Sequence, residues 1–137
     1  MLALALIIAS AAILLLLGSL HLFYTFASDK FQPRDPALAE RMRQVSPIIT
    51  RQTSLWRAWV GFNASHSLGA MLFGLVYGYL AWRHPALLQQ ARGLLVIGLG
   101  FLAGMWLLAL RYWFRIPLLG ISIALLLFAV ASGLLCA

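Results

Sequence analysis

The sequence predicts an all-α integral membrane protein: a bundle of four transmembrane helices, with a short amphipathic helix on the cytoplasmic side between the first and the second. Three observations predict it. Of 137 residues, 64% are hydrophobic and only 9% charged, where a soluble domain has about 45–50% apolar and about 25% charged residues. Four stretches contain no Asp, Glu, Lys or Arg: residues 1–28, 58–82, 93–110 and 116–137. The connections between them hold all the formal charge. A soluble fold of this length could not hide so much apolar surface, and disorder requires the opposite composition. The length suits a single membrane domain over residues 1–137.

A bilayer core about 30 Å thick takes roughly 20 apolar residues in helical form. Lipid leaves no water to satisfy the backbone, so unbroken apolar runs cross it as helices. The spans expected are about 3–27, 56–82, 92–114 and 117–136, with a first connection over about 28–55. The first run has no basic residues ahead of it and no small-residue cleavage site at its end, so an uncleaved span is expected rather than a signal peptide.

Orientation follows from the basic residues. The first connection carries Lys30, Arg34, Arg41, Arg43, Arg51 and Arg57, and the third carries Arg111 and Arg115. The second has Arg83 and Arg92 alone. The first and third connections are therefore expected in the cytoplasm, with both termini on the non-cytoplasmic side. Tyr24, Trp56, Trp59, Tyr112 and Trp113 mark the cytoplasmic headgroup level, and Tyr79 and Trp82 the opposite one. With basic residues lying between apolar blocks, membrane lipid is the expected partner and nucleic acid is not.

Within the first connection, Asp35-Pro36 reads as an N-cap followed by proline at the first helical position. Leu38, Met42 and Val45 then share a face, which predicts a short helix lying on the membrane surface. A solvated basic loop is the other reading. Ser46-Pro47 repeats the cap-and-proline pattern and predicts a second helical start leading into the next span.

Small residues recur at intervals of four in the second span: Gly61, Ser65 and Gly69, then Ala70, Gly74 and Gly78. The third span has Gly100 and Gly104. Such spacing lets backbones approach closely, so the second span is expected at the centre, contacted on two sides. The same signal would serve contact with a second copy of the chain. The fourth span, with Ser122 and Ser132 its only hydroxyls, reads as facing lipid or closing the bundle.

Polar side chains inside spans are costly and ask for an explanation. They gather at the cytoplasmic end: His21, Tyr24 and Thr25 in the first span, Asn63, Ser65, His66 and Ser67 in the second, Arg111 and Tyr112 in the third, with Arg115 just beyond. Trp59, Asn63 and His66 share one helix face. At about 1.5 Å per residue, His21 and His66 lie roughly 10 and 12 Å from the cytoplasmic ends of their helices. One reading is hydrogen-bond glue between helices. Another is an anion or headgroup pocket in which Arg57, Arg111 and Arg115 hold phosphate or carboxylate. A third is b-type haem with His21 and His66 as axial ligands. A fourth is an enzyme in which His66 or Tyr112 moves a proton, or Arg57 or Arg111 stabilises a thiolate. The three carboxylates, Asp29, Asp35 and Glu40, all lie in the first connection, which excludes chemistry built on buried acids. The single cysteine, Cys136, excludes an internal disulfide, a CxxC pair and a multi-cysteine metal site.

The runs Phe31-Gln32-Pro33-Arg34-Asp35-Pro36, Trp56-Arg57-Ala58-Trp59-Val60-Gly61-Phe62-Asn63-Ala64-Ser65-His66-Ser67-Leu68-Gly69 and Arg111-Tyr112-Trp113-Phe114 resemble a family of small bacterial four-span membrane proteins of unassigned activity, a likeness that implies the bacterial inner membrane as the setting. Arg57-Ala58 followed by Asn63, with Tyr112 through Arg115, is also similar to the MAPEG superfamily of glutathione and eicosanoid enzymes. That likeness implies glutathione bound by Arg57, Asn63, Arg111, Tyr112 and Arg115 in a homotrimer. The Arg-to-Asn spacing is longer here, and Ser65-His66 stands where that family has an acidic residue.

The expectation is thus a small polytopic membrane protein that binds lipid or a small ligand, or is accessory to a larger membrane complex. Its polar pocket draws on His21, Tyr24, Arg57, Asn63, His66, Arg111, Tyr112 and Arg115. Besides lipid, a second copy of the chain or a larger complex is the expected partner, and the composition names no cofactor. The alternatives are a glutathione-dependent membrane enzyme and a haem protein.

Overall fold

The computed structural model describes residues 1–136, so Ala137, the end of the fourth charge-free stretch, lies outside the described residues. Those residues form six helices and no strand: α1 (Leu2–Ala27), α2 (Pro36–Gln44), α3 (Leu55–Arg83), α4 (Pro85–Gln90), α5 (Arg92–Tyr112) and α6 (Arg115–Cys136). Three of them, α1, α5 and α6, are long and apolar enough to cross a membrane. Only 28–33% of their apolar stretches is buried in the protein. Leu16, Val96, Ile97, Leu119 and Leu126 all face outward, which favours an apolar solvent around them. The longest helix, α3, is diluted by Asn63, Ser65, His66 and Ser67.

Local chemistry sets the helix ends. At the close of α1, Ser28 Oγ donates to the Tyr24 carbonyl at 2.8 Å, satisfying an orphan acceptor. Asp35 caps α2 as expected, accepting from the Ala37 N–H at 2.9 Å, with Pro36 at the first helical position. The second helical start expected at Ser46-Pro47 does not form. Pro47–Thr50 makes a turn instead, with the Thr50 N–H donating to the Pro47 carbonyl at 3.2 Å. The cap for α3 is Ser54, whose Oγ accepts from the Arg57 N–H at 3.3 Å. Between the two lie Ile48, Ile49 and Thr50, β-branched residues that favour extended backbone over a helix. The short helix α4 was not expected. Pro85 suits its first turn, where the missing N–H would be orphaned anyway. Helix α5 stops at Tyr112 rather than 114, because Trp113 is extended. Helix α6 starts two residues early and holds Pro117 in its first turn.

The chain forms two compact units. One comprises Met1–Leu17 with Ala70–Ala137; the other is Gly18–Gly69. In the first unit the buried residues recur every three or four positions: Ala3, Ile7, Ala11 and Leu14 on α1; Ala70, Phe73, Tyr77 and Ala81 on α3; Leu95, Gly98, Leu102, Met105 and Ala109 on α5; Ile121, Ala124, Phe128 and Ala131 on α6. This is the seam of helices packed side by side. Leu88 of α4 is fully buried in the same core. Aromatic rings fill its centre: Phe73 stacks on Phe101 at 5.1 Å, and Tyr77 meets Phe128 edge to face at 5.0 Å. Buried hydroxyls reach across helices, Ser10 Oγ to the Ala124 carbonyl at 2.8 Å and Tyr77 Oη to the Leu94 carbonyl at 2.6 Å. Trp106 Nε1 donates to Ser122 Oγ at 3.1 Å. Helix α6 therefore closes this unit with one face.

Of the glycine series, one packs. A Cβ on Gly74 would lie 2.6 Å from the Ala11 carbonyl oxygen and 2.8 Å from Leu15 Cβ. Here α1 and α3 touch backbone to backbone. The other expected series does not pack: a Cβ at Gly61 or Gly69 meets nothing within 4 Å, and Ser65 is exposed. Gly100 and Gly104 are open as well. The tight position on α5 is Gly98, where a Cβ would meet Phe128 Cζ at 2.5 Å. The reason is register: the α5 seam runs through 95, 98, 102, 105 and 109, and 100 and 104 fall off it.

Candidate functional site

In the second unit, Gly18–Gly69, His21, Thr25, Trp59, Asn63 and Ser67 form one connected network. Asn63 on α3, only 8% exposed, is its hub. Its Nδ2 donates to the Trp59 carbonyl at 2.8 Å. That turns Oδ1 toward α1, where it accepts from His21 Nε2 at 3.0 Å. A carbonyl oxygen can only accept, so His21 carries a proton on Nε2. Ser67 Oγ donates to the Asn63 carbonyl at 2.9 Å, and Thr25 Oγ1 donates to the His21 carbonyl at 2.8 Å. The network continues into the connection after α1, where Trp59 Nε1 donates to the Phe31 carbonyl at 3.0 Å. Phe31 in turn lays its ring on that of His21, with centroids 4.4 Å apart.

His21 and His66 are neighbours, as their equal depth predicts, with ring centroids 5.3 Å apart in an edge-on arrangement. Axial haem ligation needs two ring nitrogens facing each other across a porphyrin plane. These rings touch directly, and His21 Nε2 is engaged by Asn63. The pair does not fit around a porphyrin as placed. Among the described residues no group of three or more His, Cys, Asp or Glu gathers.

An open groove of about 400 Å³ lies beside the network, lined by Lys30, Phe31, Gln32, Pro33, Met42 and Trp59. A smaller cleft of about 20 Å³, lined by Thr25, Ser28, Gln32, Trp56 and Asn63 among others, has room for a single water. Lys30 is the groove's cation. Its Nζ stands 4.1 Å from the centroid of the Tyr24 ring, which holds the ammonium over an aromatic face. Trp59, Phe31 and Met42 give the groove an apolar wall. Helix α2 places Met42 there and buries Ala39, leaving Leu38 exposed at 49%. Of the expected Leu38–Met42–Val45 face, Met42 and Val45 are half-buried and Leu38 is exposed.

Of the eight residues expected in the site, His21, Asn63 and His66 come together, and Tyr24 supports Lys30. Arg57 is exposed on the first turn of α3. Arg111, Tyr112 and Arg115 belong to the other unit, where all three are exposed around the α5–α6 connection. Both ends of the Asn63 amide are engaged inside the chain, Nδ2 by the Trp59 carbonyl and Oδ1 by His21. The groove residues Lys30, Phe31, Gln32, Pro33 and Met42 were missed as site residues. Their signal was the Phe31-Gln32-Pro33 run directly after the polar end of the first helix, with an amphipathic helix to follow. No family model, curated protein or solved structure matches this chain.

Proposed function

We propose that this chain is a four-span protein of the bacterial inner membrane that binds an anionic amphiphile, a lipid or lipid-like molecule, at the cytoplasmic ends of α1 and α3. The observation that carries this reading is the groove: one ammonium beside a wall of Phe31, Trp59 and Met42. An anionic headgroup pairs with Lys30, and an apolar tail lies along the wall. The His21–Asn63–Trp59 network supports the groove by holding Trp59 and Phe31 in place. Helix α3 supplies the fourth span, and the basic first and third connections put both termini outside. The role is that of a lipid-binding or accessory protein, with membrane lipid as partner and a second copy or a larger membrane complex as further company.

The test is native mass spectrometry of protein released from bacterial membranes in mild detergent, followed by titration with phosphatidylglycerol. Lys30→Ala is expected to weaken phosphatidylglycerol retention about fivefold, since a basic residue near an anionic surface contributes about 1 kcal/mol. Trp59→Ala is expected to weaken it further by removing the wall. Equal retention by the parent and both variants overturns the proposal.

A further inference from the structure

We infer that the turn Pro47–Thr50 is a membrane-inserting tip that places Ile48 and Ile49 in an anionic lipid headgroup layer. Apart from Met1, these two are the most exposed large apolar residues of the chain, at 108% and 92%. They sit side by side on a turn held by the Thr50 N–H to Pro47 carbonyl bond, with Thr50 Oγ1 accepting from the Gln52 N–H at 3.1 Å. The loop is closed at its neck, where the Leu55 N–H donates to the Val45 carbonyl at 2.8 Å. At no more than about 3.4 Å per residue, Ile48 lies within roughly 10 Å of Val45. Val45 is thereby tied to Leu55, the first residue of α3. Trp56 follows, under the Arg43 guanidinium at 5.2 Å from its ring. A tryptophan beside an arginine is the chemistry of the headgroup level, so the tip is tethered within reach of that level.

The charges around the tip select the occupant. From residue 41 to 57 the chain carries Arg41, Arg43, Arg51 and Arg57 and no acid. The nearest carboxylate, Glu40, accepts from Gln44 Nε2 at 2.7 Å and pairs with Arg43 at 3.7 Å. An aliphatic pair flanked along the chain by four arginines and no acid matches an anionic lipid surface, in which the side chains enter the acyl boundary and the arginines meet phosphates. This inference rests on the chain lying in a membrane through α1 and does not depend on the Lys30 groove.

The experiment places an environment-sensitive fluorophore at Ile49→Cys, with Cys136→Ser removing the exposed native thiol. The full chain is reconstituted in discs of phosphatidylglycerol. Insertion shifts the emission to the blue relative to detergent, lets headgroup-nitroxide lipid quench it and shields it from iodide. Unshifted emission with free iodide access overturns the inference. Shielding that vanishes when excess discs leave one copy per disc assigns the tip to contact between copies, which also overturns it. The parent chain offers a second reading should the labelled variant fail to fold. Trypsin cleavage after Arg51 is expected to slow in phosphatidylglycerol discs relative to detergent, and equal rates overturn the inference.

Discussion

Asn63 sits at a buried position where α1 and α3 exchange a side-chain hydrogen bond within the second unit. Its amide meets two demands at once, donating to the Trp59 carbonyl and accepting from His21. Asn63→Leu keeps the branched shape and the number of heavy atoms and removes both. His21 then loses its acceptor in a low-water setting. Side-chain hydrogen bonds between membrane helices contribute about 0.6 kcal/mol on average and up to about 1.7. A loss of about 1 kcal/mol is expected, read as a lower melting temperature by far-ultraviolet ellipticity in detergent. Ser65→Ala, on an exposed hydroxyl bonded only to its own helix at Phe62, is expected to change little. Equal effects from the two would remove Asn63 from its role as hub.

At the scale of elements, glycines separate helix contact from open surface. Gly74→Ala drives a methyl onto the Ala11 carbonyl and Leu15, both backbone-anchored, and cannot be absorbed by a side-chain rotation. Overpacking of this kind costs about 1–3 kcal/mol. Gly61→Ala meets nothing, and alanine favours a helix over glycine by about 1 kcal/mol, so this change is expected to be neutral or stabilising. Thermal unfolding of the two variants in the same detergent checks the contrast. Both glycines stand in four-residue series that look alike in the sequence. Only the partner helix distinguishes them, and the partner is set far away in the chain, at residues 11 and 15.

For the whole molecule, the sequence and the structure meet on membrane residence and divide over detail. Three helices qualify as spans by length and apolarity. The status of α3 as a fourth span decides the topology, and a reporter experiment reads it directly. A periplasm-active reporter is expected to work when inserted after Gln90 or fused at the C-terminus, and to be silent after Gln52. Activity after both Gln52 and Gln90 would mean that α3 does not cross. The legible parts were those that depend on local chemistry. Asp35-Pro36 announced the start of α2 because a cap needs only its own next two residues. Equal depth made the meeting of His21 and His66 possible, and the approach of α1 to α3 decided it. The groove was not legible, because Lys30, Met42 and Trp59 lie on three separate segments and only the path of the 28–35 connection unites them.

By itself, the sequence determined that the chain is helical, that long stretches of it prefer lipid to water, and where charge and aromatic rings fall along it. Composition, capping and apolar run length act over a few residues, so no partner is needed to read them. Tertiary structure alone decided which glycine series carries a contact and that Ala39 of α2 is buried. It also decided that Ser46-Pro47 opens a turn with two bare isoleucines rather than a helix, and that Asn63 spends its amide on His21 and Trp59. Each of these is a choice among locally equivalent options. The free energy that separates them comes from atoms supplied by distant parts of the chain, through close packing and the pairing of buried polar groups.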